Sequence, residues 1–465
     1  MQKNKGLWII AIYLFLSLYL QPIYPFEKET SGEAARWATA VSLIEKSSFD
    51  VGWLGELAGE KAALVRVGDR FYAAQPPGAA VAAAPFYAVS RLAAGPPSAE
   101  NMRLTWAVMR FFTASLPLLL LALWLYAREA DELSLAVLLF ATPLFLHSLA
   151  LSAAPLVAVL LYFAFRLIYD TERVFLRNCL LAGFLSGAAL VCELAAIVPI
   201  AVFVGGLFFL SRRDRWSGVF VFAVGAAPLL ALLLFYHYWI FGSPLAALYG
   251  YQSFADGAES ARFVDLAAPG LDNLYRLLFS PARGLFFYAP VLLLAVFALV
   301  ASPERKHARH RVKAAAVLLT ALAGIFSRDA ALAAGSLVLA VPLLLDSFFD
   351  GEIYELSNLW QGFLFAASLV LCALPALAVP YAPAGSVFSH NDFWQPMLFR
   401  ENVFAPNAFG FAPSIWTILP VAALLLAVLY FVWRGSRRPK KFLIGAAAAL
   451  LVTGVYVFLP LSARS

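Results

Sequence analysis

The chain has 465 residues, of which 62% are hydrophobic and 13% charged, with a mean hydropathy of +0.80 and a net charge of +6. Soluble domains carry roughly a quarter of their residues as charges, so this composition excludes a soluble protein and points to an integral membrane protein. The positive balance does not point to nucleic acid, because Lys and Arg collect in short loops between apolar runs, where they orient a chain in a bilayer.

The first apolar segment, Leu7–Leu20, follows MQKNKG and is followed by Gln21, Pro22, Ile23, Tyr24 and Pro25, which is no small-x-small cleavage site. It reads as an uncleaved signal anchor, with Lys3 and Lys5 keeping the N-terminus in the cytoplasm. Roughly eighty residues then pass before the next stretch of spanning length. That gap concentrates charge: Glu27, Lys28, Glu29, Glu33, Arg36, Glu45, Asp50, Glu56, Glu60 and Asp69. Within it, Ala34–Lys46 spaces its apolar residues as a helix does and predicts an amphipathic helix lying at the membrane interface. The Ala74–Gly78 run AQPPG predicts a rigid corner, since two prolines fix φ and Gly78 permits close backbone approach. Ala79–Ala93 then starts a short helix after Pro76-Pro77.

The expected spans that follow are Leu104–Ala127, Leu133–Leu149, Ala154–Ile168, Cys179–Val191, Ala195–Leu210, Val219–Ile240, Leu285–Ala301, Ala314–Phe326, Ala330–Leu345, Leu359–Val379, Ile415–Val432 and Phe442–Leu459. With the first segment they make an all-α polytopic bundle of about 13 transmembrane helices, several shorter than the ~20 residues an untilted crossing needs. Four loops, Arg166–Arg177, Ser211–Arg215, Glu304–Lys313 and Trp433–Lys441, are short and basic, which assigns them to the cytoplasm; acidic Asp346–Asn358 runs against the pattern. The external segments are then about 22–103, 242–284 and 381–414, within a single domain spanning 1–465. Cys179, Cys192 and Cys372 fall in apolar runs without metal or disulfide spacing and read as small buried hydrophobes.

Few residues carry chemistry. Glu27, Glu29 and Glu33 are carboxylates in the first external loop, suited either to general-base work or to solvated pairing with Lys28 and Arg36. Arg283, in FSPARGLFFYAP (Phe279–Pro290), can meet an anionic head group bidentately or snorkel to lipid phosphate. Glu193 and Arg328 sit at or near the ends of apolar runs, and the interface is the expected place for Glu193. His147, His237, His307, His310 and His390 show no ligand spacing. No metal ligand set is evident, so no cofactor is expected to be required, with a divalent metal left open.

Taken together, SGEAARWATAVSLIEKSSFDV (Ser31–Val51), GDRFYAAQPPGAAVAAAPFYAVSRL (Gly68–Leu92), FGSPLAALYGYQSF (Phe241–Phe254), FSPARGLFFYAPVLLL (Phe279–Leu294), SHNDFW (Ser389–Trp394) and the run NAFGFAPSIWTILP give the chain its resemblance to a known family. It resembles the GT-C superfamily of membrane glycosyltransferases, and within it bacterial family 39, the protein mannosyltransferase and aminoarabinose transferase group. That resemblance implies a GT-C-like fold in the bacterial inner membrane, with an active face toward the outside. It further implies transfer of a sugar from a polyprenyl-phosphate donor to an envelope acceptor, whether lipid, glycan or protein.

Carried over by motif position, Glu33 matches the second member of the family's acidic pair, with Glu29 one turn earlier as a substitute for the first, which is Gly32 here. Arg283 matches the second-loop arginine expected on the donor phosphate, with Arg328 as its companion. Tyr72, Gln75, Pro76, Pro77 and Tyr249 are expected to shape the pocket. Relatives often carry a histidine where this chain has Leu151-Ser152, and a Gly-Pro-Arg segment where it has FSRDAALAAGSLVLAVP. The alternative is a catalytically silent GT-C-fold protein that binds a lipid carrier or scaffolds an envelope assembly. A transporter is disfavoured, because the charges gather at the rim rather than at broken helices in midplane.

Overall fold

The structure is a computed structural model. It describes residues 4–21, 32–53, 64–97, 102–170, 175–210, 215–244, 271–282, 284–301, 308–326, 337–349, 358–378, 390–399, 401, 404–409 and 414–458. Among them, Glu29, Tyr249, Arg283 and Arg328 do not appear; these four expected site residues lie outside the described residues.

The chain enters through α1 (Lys5–Tyr19), then α2 (Glu33–Glu45), a hairpin of β1 (Leu64–Val67) and β2 (Arg70–Ala73), and α3 (Gly78–Ala94). Next come α4 (Met102–Ala127), α5 (Glu132–Phe140), α6 (Pro143–Ser148), α7 (Ala154–Tyr169), α8 (Leu176–Cys192), α9 (Ile197–Leu210) and α10 (Arg215–Phe241). The second half holds α11 (Leu271–Leu278), α12 (Leu285–Tyr288), α13 (Leu292–Ala301), α14 (Ala308–Phe326), α15 (Val341–Phe349), α16 (Asn358–Leu377), α17 (Gln395–Phe399), α18 (Ile415–Gly435) and α19 (Pro439–Phe458). Among the described residues, five helices are long and apolar enough to cross a membrane: Met102–Ala127, Trp216–Phe241, Asn358–Leu377, Ile418–Gly435 and Pro439–Val457. The protein is a mostly helical integral membrane protein.

Where structure and sequence differ, local chemistry explains it. The expected span Leu133–Leu149 is broken at Ala141–Thr142, because Pro143 has no N–H for a continuing helix and serves instead as the first residue of α6. Pro290 divides Leu285–Ala301 into α12 and α13 in the same way. The hairpin is a small exception to an all-α fold, closed by Gly68 at φ +60 between Val67 and Arg70. Helix α2 is not an interfacial helix with a wet face: every residue from Glu33 to Ser42 is buried. Its Ala34, Ala35, Ala38, Ala40 and Thr39 are small enough to let α3 approach closely.

Small residues also set the tightest helix crossings. A Cβ on Gly183 of α8 would lie 2.0 Å from the Phe222 carbonyl oxygen of α10, and one on Gly445 of α19 would lie 1.9 Å from that of Leu359 in α16. In lipid, where apolar side chains gain little by clustering, such close backbone approach is a main source of helix association. Two ends of the bundle are distinguishable. At one, the exit of α1 pairs with the late segment 404–409, through Gln21 N–H to Pro406 O (2.8 Å) and Ala408 N–H to Tyr19 O (2.9 Å). Arg110 of α4 reinforces this end by donating to the carbonyls of Leu20 (2.6 Å), Leu149 (3.1 Å) and Ser17.

Candidate functional site

The candidate site begins where α2 begins. Gly32, its N-cap, holds φ +72, and a Cβ there would lie 1.9 Å from Gln75 Nε2. The left-handed φ favours glycine here, and any side chain would also have to displace the Gln75 amide. The next residue, Glu33, is 1% exposed, and its Oε2 accepts a 2.7 Å hydrogen bond from the Leu151 N–H. One turn on, the buried Arg36 donates to the Leu151 carbonyl at 3.3 Å. One turn of α2 thus grips both polar groups of Leu151, in the link between α6 and α7.

Around this clamp stand two polar side chains that the sequence did not single out. His147 Nδ1 lies 3.0 Å from the Ser152 hydroxyl, so an imidazole stands beside Leu151-Ser152 although it is supplied from α6, five residues earlier. Arg36 lies within electrostatic reach of this imidazole. Glu193, half-buried at the end of α8, belongs to the same end of the bundle: Arg36 and Glu193 both lie within electrostatic reach of the Cys192 thiol. Pro76 and Pro77 make the corner that aims α3, and Gly78 abuts the backbone at Val191 and Cys192, where a Cβ would come within 2.6 Å.

The flanks of the clamp are aromatic and rigid. Trp37 stacks on Trp106 (5.8 Å between centroids, 19° between planes), meets Trp53 edge-on at 5.7 Å, and donates to Thr105 Oγ1 at 3.3 Å. Tyr72 is buried against Phe241 (6.3 Å). At the far end of α2 and α3, Glu45 accepts from Tyr87 (2.7 Å) and from Arg91 (2.9 Å through one nitrogen). The Arg91 hydrogen bond holds the Glu45 carboxyl below its ordinary pKa.

A second brace lies near the expected Arg283. The Tyr288 hydroxyl donates to the Pro281 and Ala282 carbonyls (3.2 and 3.1 Å). His390 packs on the Tyr288 ring (5.1 Å) and the Trp394 ring (5.0 Å), with Nε2 3.2 Å from the Leu371 carbonyl. Burial pushes the His390 pKa down to about 4, so the imidazole is neutral.

Between α9 and α14 runs an apolar groove of about 780 Å³, with Ile197 and Leu322 toward the end of the bundle that carries Glu33, and Phe209 toward the other. Arg311 is the single charged residue among those described as lining it. At that opposite end, Asp346 is fully buried and receives Arg166 (2.7 Å), Tyr162 (2.9 Å), Arg309 (2.8 Å) and Lys313 (3.1 Å). Asp170 extends the network to Arg128 (3.1 Å) and Arg166 (3.0 Å). Helix α7 separates this network from Leu151 by about 24 Å, its 16 residues each rising about 1.5 Å.

No protein-family model and no curated protein matches the sequence. Among solved structures, the chain is similar to ArnT from Cupriavidus metallidurans, solved bound to undecaprenyl phosphate. The alignment covers 96% of this chain and 76% of that one, with a TM-score of 0.51 and 15% sequence identity. The chain has the ArnT fold. The resemblance to the GT-C group read from the motifs is therefore matched by the course of the backbone.

Of the expected site residues, the structure brings together Glu33, Gln75, Pro76, Pro77 and, beside them, Tyr72. Arg36, His147 and Ser152 were missed. Arg36 had been read only as a solvated partner, and His147 was set aside because the histidines show no ligand spacing. The available signal was that an ionisable side chain in such a run is a functional suspect by position.

Proposed function

We propose that this protein is a membrane glycosyltransferase that takes a sugar from a polyprenyl-phosphate donor and passes it to an envelope acceptor on the external face of the bacterial inner membrane. The observation that carries the reading is a buried carboxylate, Glu33, fixed at the head of the first-loop helix in a chain with the ArnT fold. Supporting it, the α9–α14 groove is apolar along its length and suits a polyprenyl chain. Arg283 and Arg328 are the residues we assign to the donor phosphate, with Tyr249 completing the pocket. The topology that fits is a cytoplasmic N-terminus, about thirteen spans, and external segments at 22–103, 242–284 and 381–414 within one domain.

In the reaction, the bond between the sugar's anomeric carbon and the phosphate oxygen breaks, and its electrons leave with polyprenyl phosphate. A bond from the acceptor oxygen or nitrogen to the anomeric carbon forms. The acceptor's proton passes to Glu33 or, as the runner-up, Glu29. The phosphate needs charge stabilisation rather than a proton, so one carboxylate suffices. No cofactor is required in this scheme.

One observation favours a second reading, a catalytically silent protein that binds a lipid carrier: Glu33 already spends hydrogen-bonding capacity on Leu151, as a structural clamp would. The deciding experiment is sugar transfer from a panel of polyprenyl-phosphate sugars to membrane acceptors by the wild type, Glu33→Gln and Glu29→Gln. Loss of transfer in either variant, with donor binding kept, supports the enzyme. Full activity in both removes the carboxylate mechanism, and donor binding without transfer by the wild type establishes the silent carrier.

A further inference from the structure

The amide of Gln75 occupies the space that a side chain at position 32 would need. A Cβ on Gly32 would lie 1.9 Å from Gln75 Nε2, 2.5 Å from Cδ and 2.9 Å from Oε1. The two residues come from different parts of the first loop, the N-cap of α2 and the corner before α3, so their fit is a matter of tertiary structure. Gln75 Oε1 is itself buried and, among the described residues, has no hydrogen-bond partner. An amide carbonyl held in this state loses its hydration without compensation. Pro76 and Pro77 fix the backbone of the corner from which the side chain extends. An unpaired, desolvated acceptor oxygen beside the residue that precedes Glu33 is suited to a ligand that brings a donor.

We propose that Gln75 is an acceptor-binding residue, whose Oε1 receives the O–H of a hydroxyl-bearing amphiphile seated beside Glu33. The glycosyltransferase reading supplies what that ligand would be used for; the binding position rests on the Gly32–Gln75 geometry and the unpaired Oε1. A neutral carbonyl orients a hydroxyl without adding a second negative charge beside the Glu33 carboxylate. It makes Gln75 a selector of the acceptor and leaves the donor's phosphate untouched.

The test uses the full chain in phosphatidylcholine nanodiscs, with glutamine side chains labelled with nitrogen-15. The chain has six glutamines, so the Gln75 amide signal is assigned by its absence in Gln75→Leu. The probes are a monoacylglycerol, its di-O-methyl analogue of nearly the same shape, and a fatty amine. The expected result is a shift of the Gln75 signal with the monoacylglycerol and none with the methylated analogue. Binding should weaken roughly tenfold in Gln75→Leu, which keeps the size of the side chain but not the acceptor oxygen. Without ligand, Gln75→Leu should melt at or above the wild-type temperature, because it removes an unpaired buried acceptor. No shift with the monoacylglycerol, a shift with the amine alone, or a ligand-free Gln75→Leu that melts well below the wild type would each overturn the proposal. None of these readouts requires sugar transfer, so they stand or fall separately from the enzymatic reading.

Discussion

The Glu33 carboxylate and the backbone amide of Leu151 meet at 2.7 Å across 118 residues of sequence. This contact fastens the first-loop helix to the link between α6 and α7. Arg36 completes it from the next turn by taking the Leu151 carbonyl. The clamp fixes the carboxylate's position and at the same time makes it expensive to remove.

Two substitutions at Glu33 should therefore separate structure from chemistry. Glu33→Ala leaves the buried Leu151 amide without its acceptor and should destabilise the protein by about 1–3 kcal/mol, the range for a stranded buried donor. Glu33→Gln keeps an oxygen for the Leu151 amide and should lose only about 1 kcal/mol. If Glu33 is the general base, Glu33→Gln should still lose transfer by roughly 10²–10⁴-fold. Thermal melts in detergent and a transfer assay on the same preparations give both numbers.

The network at the opposite end makes a contrasting case. Asp346 is fully buried among Arg166, Arg309, Lys313 and the Tyr162 hydroxyl, and joins α7, α14 and α15. Asp346→Asn leaves the three cations short of a counter-charge and should cost about 3–5 kcal/mol. Adding Lys313→Met should restore part of that loss by removing one of them. Donor and acceptor affinities should not change, since the network lies about 24 Å from Leu151 along α7. Denaturation of the single and double variants, with lipid binding measured alongside, checks both statements.

The Glu45–Arg91–Tyr87 group should make the packing of α2 on α3 sensitive to acid. Glu45 is held below its ordinary pKa by Arg91, so its contribution to stability is complete above the unfolded carboxylate's value of 4.5. It is lost as pH falls through the lowered folded value. Hydrogen exchange in α2 and α3 should therefore rise in moderate acid for the wild type. In Glu45→Gln it should be higher at neutral pH and flatter with pH. An unchanged acid profile in Glu45→Gln would count against this pair as the titrating element.

Much of this architecture was legible because helices in lipid are local objects. The expected Ala34–Lys46 and Ala79–Ala93 lie within a residue of the observed Glu33–Glu45 and Gly78–Ala94, because a breaker bounds each: Gly32, and Pro76-Pro77. The breaks at Pro143 and Pro290 were equally written in the chain, but runs of apolar residues masked them. The hairpin at Leu64–Ala73 had its signal too, four-residue runs either side of Gly68-Asp69, in a segment dominated by charge. The burial of α2 was not legible, since its face toward water or protein depends on what α3 brings to it. Nor was the clamp. Glu33 could be picked by position, whereas its bond to Leu151 and the meeting of His147 with Ser152 depend on Pro143 starting a separate, short α6.

The α9–α14 groove allows a prediction in which two adjacent glycines behave oppositely. A Cβ on Gly205 meets nothing within 4 Å and projects into open space, whereas one on Gly206 would lie 2.3 Å from the Tyr169 hydroxyl and 2.5 Å from Val312. That same hydroxyl donates to the Phe203 carbonyl at 2.7 Å, tying α7 to α9, so displacing it loosens one wall of the groove. Gly206→Ala should thus lower the melting temperature, by an amount corresponding to roughly 1–3 kcal/mol of overpacking. Gly205→Phe should fold normally and fill the groove instead. If the groove holds the polyprenyl chain, Gly205→Phe should weaken binding of undecaprenyl phosphate by tenfold or more, since each methylene denied burial forfeits about 0.8 kcal/mol. Native mass spectrometry of both variants in nanodiscs decides it: undiminished undecaprenyl phosphate binding by a folded Gly205→Phe would place the lipid chain elsewhere on the protein.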